Sequence, residues 1–170
     1  MTKTVSIVFV LLLSCICASG QIKSVYTTLD QKHCKSLPLD PKEHEVDYKG
    51  ICTAVGGYKL KITNFDLHHI LDLVAPGGKE FNVGIDSVSY NFLGTKAEWR
   101  VRGGKPIALI VRYNLLGESA NKVSESVLIV SKITTKDACV IGRIEGSKTQ
   151  NLQARELADA AGAKPCISDN

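Results

Sequence analysis

The chain lacks the motifs by which most catalysts are recognised. No G-x-S-x-G, no H-E-x-x-H and no C-x-x-C occurs in its 170 residues. That removes the usual frames for a serine hydrolase, a zinc protease and a thiol redox pair. No phosphate loop is present either, because Gly56-Gly57, Gly77-Gly78 and Gly103-Gly104 read as turns between strands. There is no Asn-x-Ser/Thr sequon, so no N-glycan is implied. Aromatics make up 6% of the chain, and Trp and Met occur once each. With a net charge of only +4, this excludes a strongly basic nucleic-acid binder. The apolar run Val5–Leu13 is too short to span a membrane, which takes roughly 20 residues. No cofactor and no metal is implied.

That apolar run does carry a signal. Residues 1–20 hold one cation, Lys3, no carboxylate, an apolar centre and small residues at Ala18 and Gly20. This is the pattern of a secretory signal peptide, with a single domain over 21–170. Loss of the leader leaves 20 of the 21 cations against 17 anions, a charge of +3, and four of the six cysteines. A cytosolic enzyme is thereby excluded. Four Cys in an exported domain read as two disulfides with three conceivable connectivities. The spacing favours the local pairs Cys34–Cys52 and Cys139–Cys166. Leu12-Leu13-Ser14-Cys15 gives an alternative export route, since it loosely resembles a bacterial lipobox and would place a lipid anchor on Cys15.

Periodicity sets the fold class. Leu60 and Ile62 alternate with Lys59, Lys61 and Thr63, which predicts a half-buried strand. Residues 66–74 fit a helix through Leu67, Ile70, Leu71 and Val74, and a strand through Leu67, His69, Leu71 and Leu73. A short apolar run of this kind leaves both readings open. The clearest hairpin covers 96–115, turning at Gly103-Gly104-Lys105-Pro106. Its second strand is apolar on one face through Leu109, Val111 and Tyr113, and on the other through Ala108 and Ile110, which predicts a central strand. Residues 127–133 and 138–144 read as further strands. Ala154, Leu157, Ala158 and Ala161 then predict an amphipathic helix, with Ser147, Thr149 or Asn151 as its cap and Gly162 at its stop. The sum is a mainly β (α+β) domain of about seven to nine strands: an antiparallel sandwich or half-barrel with one C-terminal α-helix.

Ser24-Val25-Tyr26-Thr27-Thr28-Leu29-Asp30 with Cys34, Gly56-Gly57-Tyr58, Leu93 to Arg100 through Glu98-Trp99-Arg100, and Ala138-Cys139 before an Ala-rich helix ending near Cys166 are similar to segments of a group of bacterial exported proteins without an assigned activity. The resemblance runs from Ser24 to Cys166 and lapses after Cys52, at Thr53-Ala54-Val55. It implies a bacterial periplasmic or secreted location and a strand at 66–74. It supplies no site.

The candidate chemistry is sparse. His68-His69 is the only His pair. On a strand the two rings point to opposite faces, so they do not share a metal. His68 would share a face with Asp66 and Asp72, and an Asp66/His68/Asp72 cluster would make a carboxylate-oriented base, as in a hydrolase, or a weak metal site. The competing reading is a solvated edge strand. Lys59, Lys61, Arg100 and Arg102 would form a patch for an anionic partner if their strands were neighbours; the competing reading is an ordinary solvated face. Trp99 alternates with Ala97 and Val101 and is expected in the core. The expectation is a non-enzymatic binding module of the bacterial envelope or medium, its partner a protein or an anionic surface. The alternatives are a hydrolase built on Asp66, His68 and Asp72, or a hydrolase inhibitor.

Overall fold

The computed structural model describes residues 20–84, 90–117 and 122–167. Apart from Gly20, the expected leader and Cys15 lie outside the described residues. The elements are β1 (Ile22–Thr28), β2 (Lys35–Ser36), β3 (Val46–Thr53), β4 (Lys59–Phe65), β5 (His68–Val74), β6 (Glu80–Asn82), β7 (Asn91–Arg102), β8 (Lys105–Leu116), β9 (Val123–Ile133), β10 (Ala138–Ile144) and α1 (Gln150–Asp159). They form two five-stranded antiparallel sheets, ordered β1-β7-β8-β9-β10 and β2-β3-β4-β5-β6. Neither sheet closes into a barrel, so the sandwich is the architecture. The strand number exceeds expectation through β2 and β6, whose two and three residues are too few to show a period.

The layers follow from which faces are apolar. On β4 and β5, Leu60, Ile62, Leu71 and Leu73 are buried, and they meet Trp99, Leu109, Val111, Tyr113, Val127 and Ile129 of the other sheet. Alternate residues of β8 and β9, namely Ala108, Ile110, Leu128 and Val130, pack on the opposite face against Ala154, Ala158 and Ala161. The sheet holding β8 is therefore covered on both sides, and the molecule has three layers: sheet, sheet, helix. Each fully buried Leu, Val or Ile contributes roughly 1.5–3 kcal/mol. The helix seam is lined by alanines, so backbones approach closely. At Gly142 there is no room for a side chain, because a Cβ there would come 2.3 Å from Leu157 Cδ2.

Residues 66–74 form a strand, His68–Val74, entered through a turn at Asp66-Leu67. The β7–β8 connection is tighter than expected: Arg102 pairs with Lys105 across Gly103-Gly104 alone. The helix starts at Thr149 without a side-chain cap. Gly162 does not act as a left-handed stop: it lies in a 3-10 turn, Ala161–Ala163, and its φ is not positive. Disulfides join Cys34 to Cys52 and Cys139 to Cys166. The second fastens the chain beyond the helix to β10, where the Ile167 N–H donates to the Val140 carbonyl at 2.8 Å. Among the described residues no helix is long and apolar enough to cross a membrane.

Candidate functional site

The β4–β5 hairpin turns in two residues, Asp66 and Leu67, at φ of 42° and 60°. Two positive φ values at the centre of a hairpin define a type I′ turn, whose twist suits the strands and whose usual residues are Asn and Gly. The β7–β8 hairpin makes the same turn with Gly103-Gly104 at φ of 55° and 80°, where no Cβ opposes it. At Leu67 a Cβ does, which costs roughly 1–2 kcal/mol. That leucine is 53% exposed and so gains little from burial. Beneath it the Phe65 and His68 rings stack with centroids 5.3 Å apart, and Tyr90 tilts onto His68 at 5.2 Å. Tyr90 reaches this place because the next residue, Asn91, donates its N–H to the Leu67 carbonyl at 2.9 Å. Glu45, Asp47 and Asp66 flank Phe65 along one side.

The expected Asp66/His68/Asp72 cluster is not assembled. His68 Nδ1 lies 2.7 Å from the backbone carbonyl of Asp66, not from its carboxylate. Asp72 is four residues further along the strand, about 13 Å away at the strand rise. It pairs there with Lys61 at 3.6 Å. Burial holds the Asp72 pKa above the usual carboxylate range, outweighing the Lys61 charge. No group of three His, Cys, Asp or Glu side chains able to hold a metal ion occurs among the described residues.

His69 points the other way, into the sandwich. Its Nδ1 accepts the Leu93 N–H at 3.2 Å, and its own N–H donates to Asn91 Oδ1 at 3.2 Å. It thereby joins β5 to β7, one sheet to the other. An accepting Nδ1 requires neutral imidazole with the proton on Nε2. Burial agrees, since it lowers the His69 pKa to about 4. The ring lines a cavity of about 270 Å³ between the sheets.

The basic patch is divided by the fold. Lys59 and Lys61 lie on β4, outside one sheet; Arg100 and Arg102 lie on β7, outside the other. Lys61 is bonded to Glu80 and paired with Asp72, and these partners raise its pKa. Arg100 is buried under the helix, where its Nε and Nη2 donate to the Asp159 carboxylate at 2.6 and 2.8 Å and its Nη1 to Ser24 Oγ. Glu98, beside it, accepts from Ser24 at 2.5 Å and Arg155 at 2.7 Å. Burial alone would raise the Glu98 pKa, but these bonds hold it below the usual range. Arg100 thus clasps the helix and is not offered to a partner. Trp99 is fully buried, its Nε1 donating to Thr27 Oγ1 at 2.8 Å.

Sequence reasoning missed the Asp66-Leu67 turn and the approach of Tyr90 to His68. The signal for the first was present: Asp is one of the few residues that enter the left-handed region readily. The second depends on a contact between distant segments and leaves no local trace. Comparison with protein-family models, with curated proteins and with solved structures gives no match.

Proposed function

We propose that the protein is a non-enzymatic binding module of the bacterial envelope or medium, secreted or periplasmic, and that it meets a protein partner through the β4–β5 hairpin end. The observation that carries this reading is Leu67: an apolar side chain half in solvent, held in a backbone conformation that favours glycine. Strain of this kind gathers at functional sites. The ring stack of Phe65, His68 and Tyr90 supplies a rigid apolar shoulder, and aromatic residues of that sort anchor interfaces. Glu45, Asp47 and Asp66 beside it favour a partner with an apolar cleft and a cationic rim. An inhibitor of a hydrolase is the form of this reading in which Leu67 enters the target's cleft. Two disulfides fit an oxidising compartment, and the likeness to bacterial exported proteins points the same way.

The test replaces Asp66-Leu67 by Asn-Gly. Relief of strain at Leu67, less the unfolded-state freedom that Gly restores, should raise stability by about 0.5–1 kcal/mol. A protein captured from envelope or host extracts by the parent should be lost by this more stable variant. Equal capture by both proteins removes the hairpin from the contact.

A further inference from the structure

The cavity beside His69 is built differently from the hairpin end. Its floor is apolar, made of Leu29, Ile62 and Leu93, all buried. Its polar lining holds His69, Lys32 and Thr95. The His69 ring is committed at Nδ1 to the Leu93 N–H, so Nε2 carries a proton and is a donor. Lys32 is exposed and makes no ion pair among the described residues. Asp30 is the one carboxylate lining the cavity, and it is occupied: Oδ1 accepts the Lys32 N–H at 3.1 Å, and Oδ2 lies 3.3 Å from His33 Nδ1. What faces an incoming molecule is an apolar floor, a neutral imidazole donor, an unpaired ammonium and, with both its oxygens already bonded, the Asp30 carboxylate.

We infer that this cavity binds a small carboxylate with a compact apolar body. The body covers Leu29, Ile62 and Leu93, and the carboxylate accepts from His69 Nε2 and from Lys32. At about 270 Å³ the space lies just below the usual range of ligand pockets, which suits a single ring or a short branched chain. A carboxylate is favoured over a neutral acceptor because a charge-assisted bond is roughly twice as strong as a neutral one. The site is separate from the Asp66-Leu67 contact and stands or falls without it.

Benzoate and benzyl alcohol are suitable probes, titrated into the ¹⁵N-labelled protein at pH 7 and followed by amide chemical shifts. Benzoate should move Gln31, Lys32 and Leu93 to Thr95 saturably in the millimolar range. Benzyl alcohol, equal in shape and uncharged, should bind about fivefold to tenfold more weakly. Lys32→Gln, an exposed change that leaves the fold alone, should weaken benzoate by a similar factor and leave benzyl alcohol unaffected. His69→Asn keeps an acceptor for the Leu93 N–H and removes the Nε2 donor, so it should weaken both probes. Shifts scattered away from the cavity overturn the assignment, as does saturable benzoate binding that both variants retain. Equal affinity for the two probes overturns the carboxylate.

Discussion

Acidification should loosen this fold through one side chain, and replacing His69 by Asn should remove that effect. Folded His69 is neutral, with a pKa lowered from 6.5 to about 4 by burial. In the unfolded chain it titrates at its ordinary value. Above pH 6.5 both states are neutral and the residue adds no pH dependence. Between 6.5 and 4 the unfolded chain binds a proton that the folded protein does not, so stability falls as pH falls. At about 1.4 kcal/mol per unit, the interval from 6.5 to about 4 sets an upper bound of about 3.5 kcal/mol. The ring is only partly buried, at the wall of a solvent-reached cavity, and screening reduces the expected loss to about 1–2 kcal/mol. Urea unfolding of both proteins at intervals from pH 7 to 4 measures it. Other groups with shifted pKa values, Asp72 and Glu98 among them, are common to both proteins and cancel in the difference. The difference should grow steadily below pH 6.5 with no change in the urea m-value. Parallel stability curves for the two proteins would refute the reasoning.

Other perturbations test the helix layer. Gly142→Ala pushes a methyl into Leu157 and should cost about 1–3 kcal/mol; adding Leu157→Ala should recover part of that in a thermal melt. Asp159→Ala leaves buried Arg100 with only Glu98, at 3.8 Å, as a carboxylate partner and should cost about 2–3 kcal/mol, less than breaking a fully buried pair because Asp159 is partly exposed. Cys139→Ser with Cys166→Ser should cost about 3 kcal/mol. The loss should show first as faster hydrogen exchange at Ile167, while the amides of β8 stay protected.

Where a local pattern decided the structure, the sequence was enough to read it. Alternation at Leu60 and Ile62 gave β4, two apolar faces gave the central β8, and the short cysteine separations gave the two bridges that form. Residues 66–74 stayed ambiguous because Leu67 and Leu71 belong to both periods, with Ile70 and Val74 completing a helix face and His69 and Leu73 a strand face. The turn that resolves them uses Leu67 where glycine is the usual signal. Gly162 misled for the opposite reason: glycine permits a left-handed stop without enforcing one, and the chain leaves α1 through a 3-10 turn. The site was less legible still. Arg100 has the pattern of a solvated strand face, and only the helix, docked from 59 residues away at Asp159, turns it into a buried clasp. Asp66, His68 and Asp72 looked like a cluster because alternation reports which side a residue faces and not how far apart two residues lie. His69 reads as an ordinary strand residue until β7 arrives beside it.

The order of strands also bears on how the chain assembles. β7, β8, β9 and β10 are neighbours in both sequence and space, joined by local hairpins, and the helix follows directly onto them. β1 is different: it closes that sheet by pairing with β7, with Ser24 and Glu98 bonded across 74 positions. Contacts between distant segments form slowly, because the loop must close before any contact rewards it. A chain made from its N-terminus presents β1 first and supplies its partner only much later. Until then β1 lacks its partner in the sheet, and its backbone edge is open to wrong pairing.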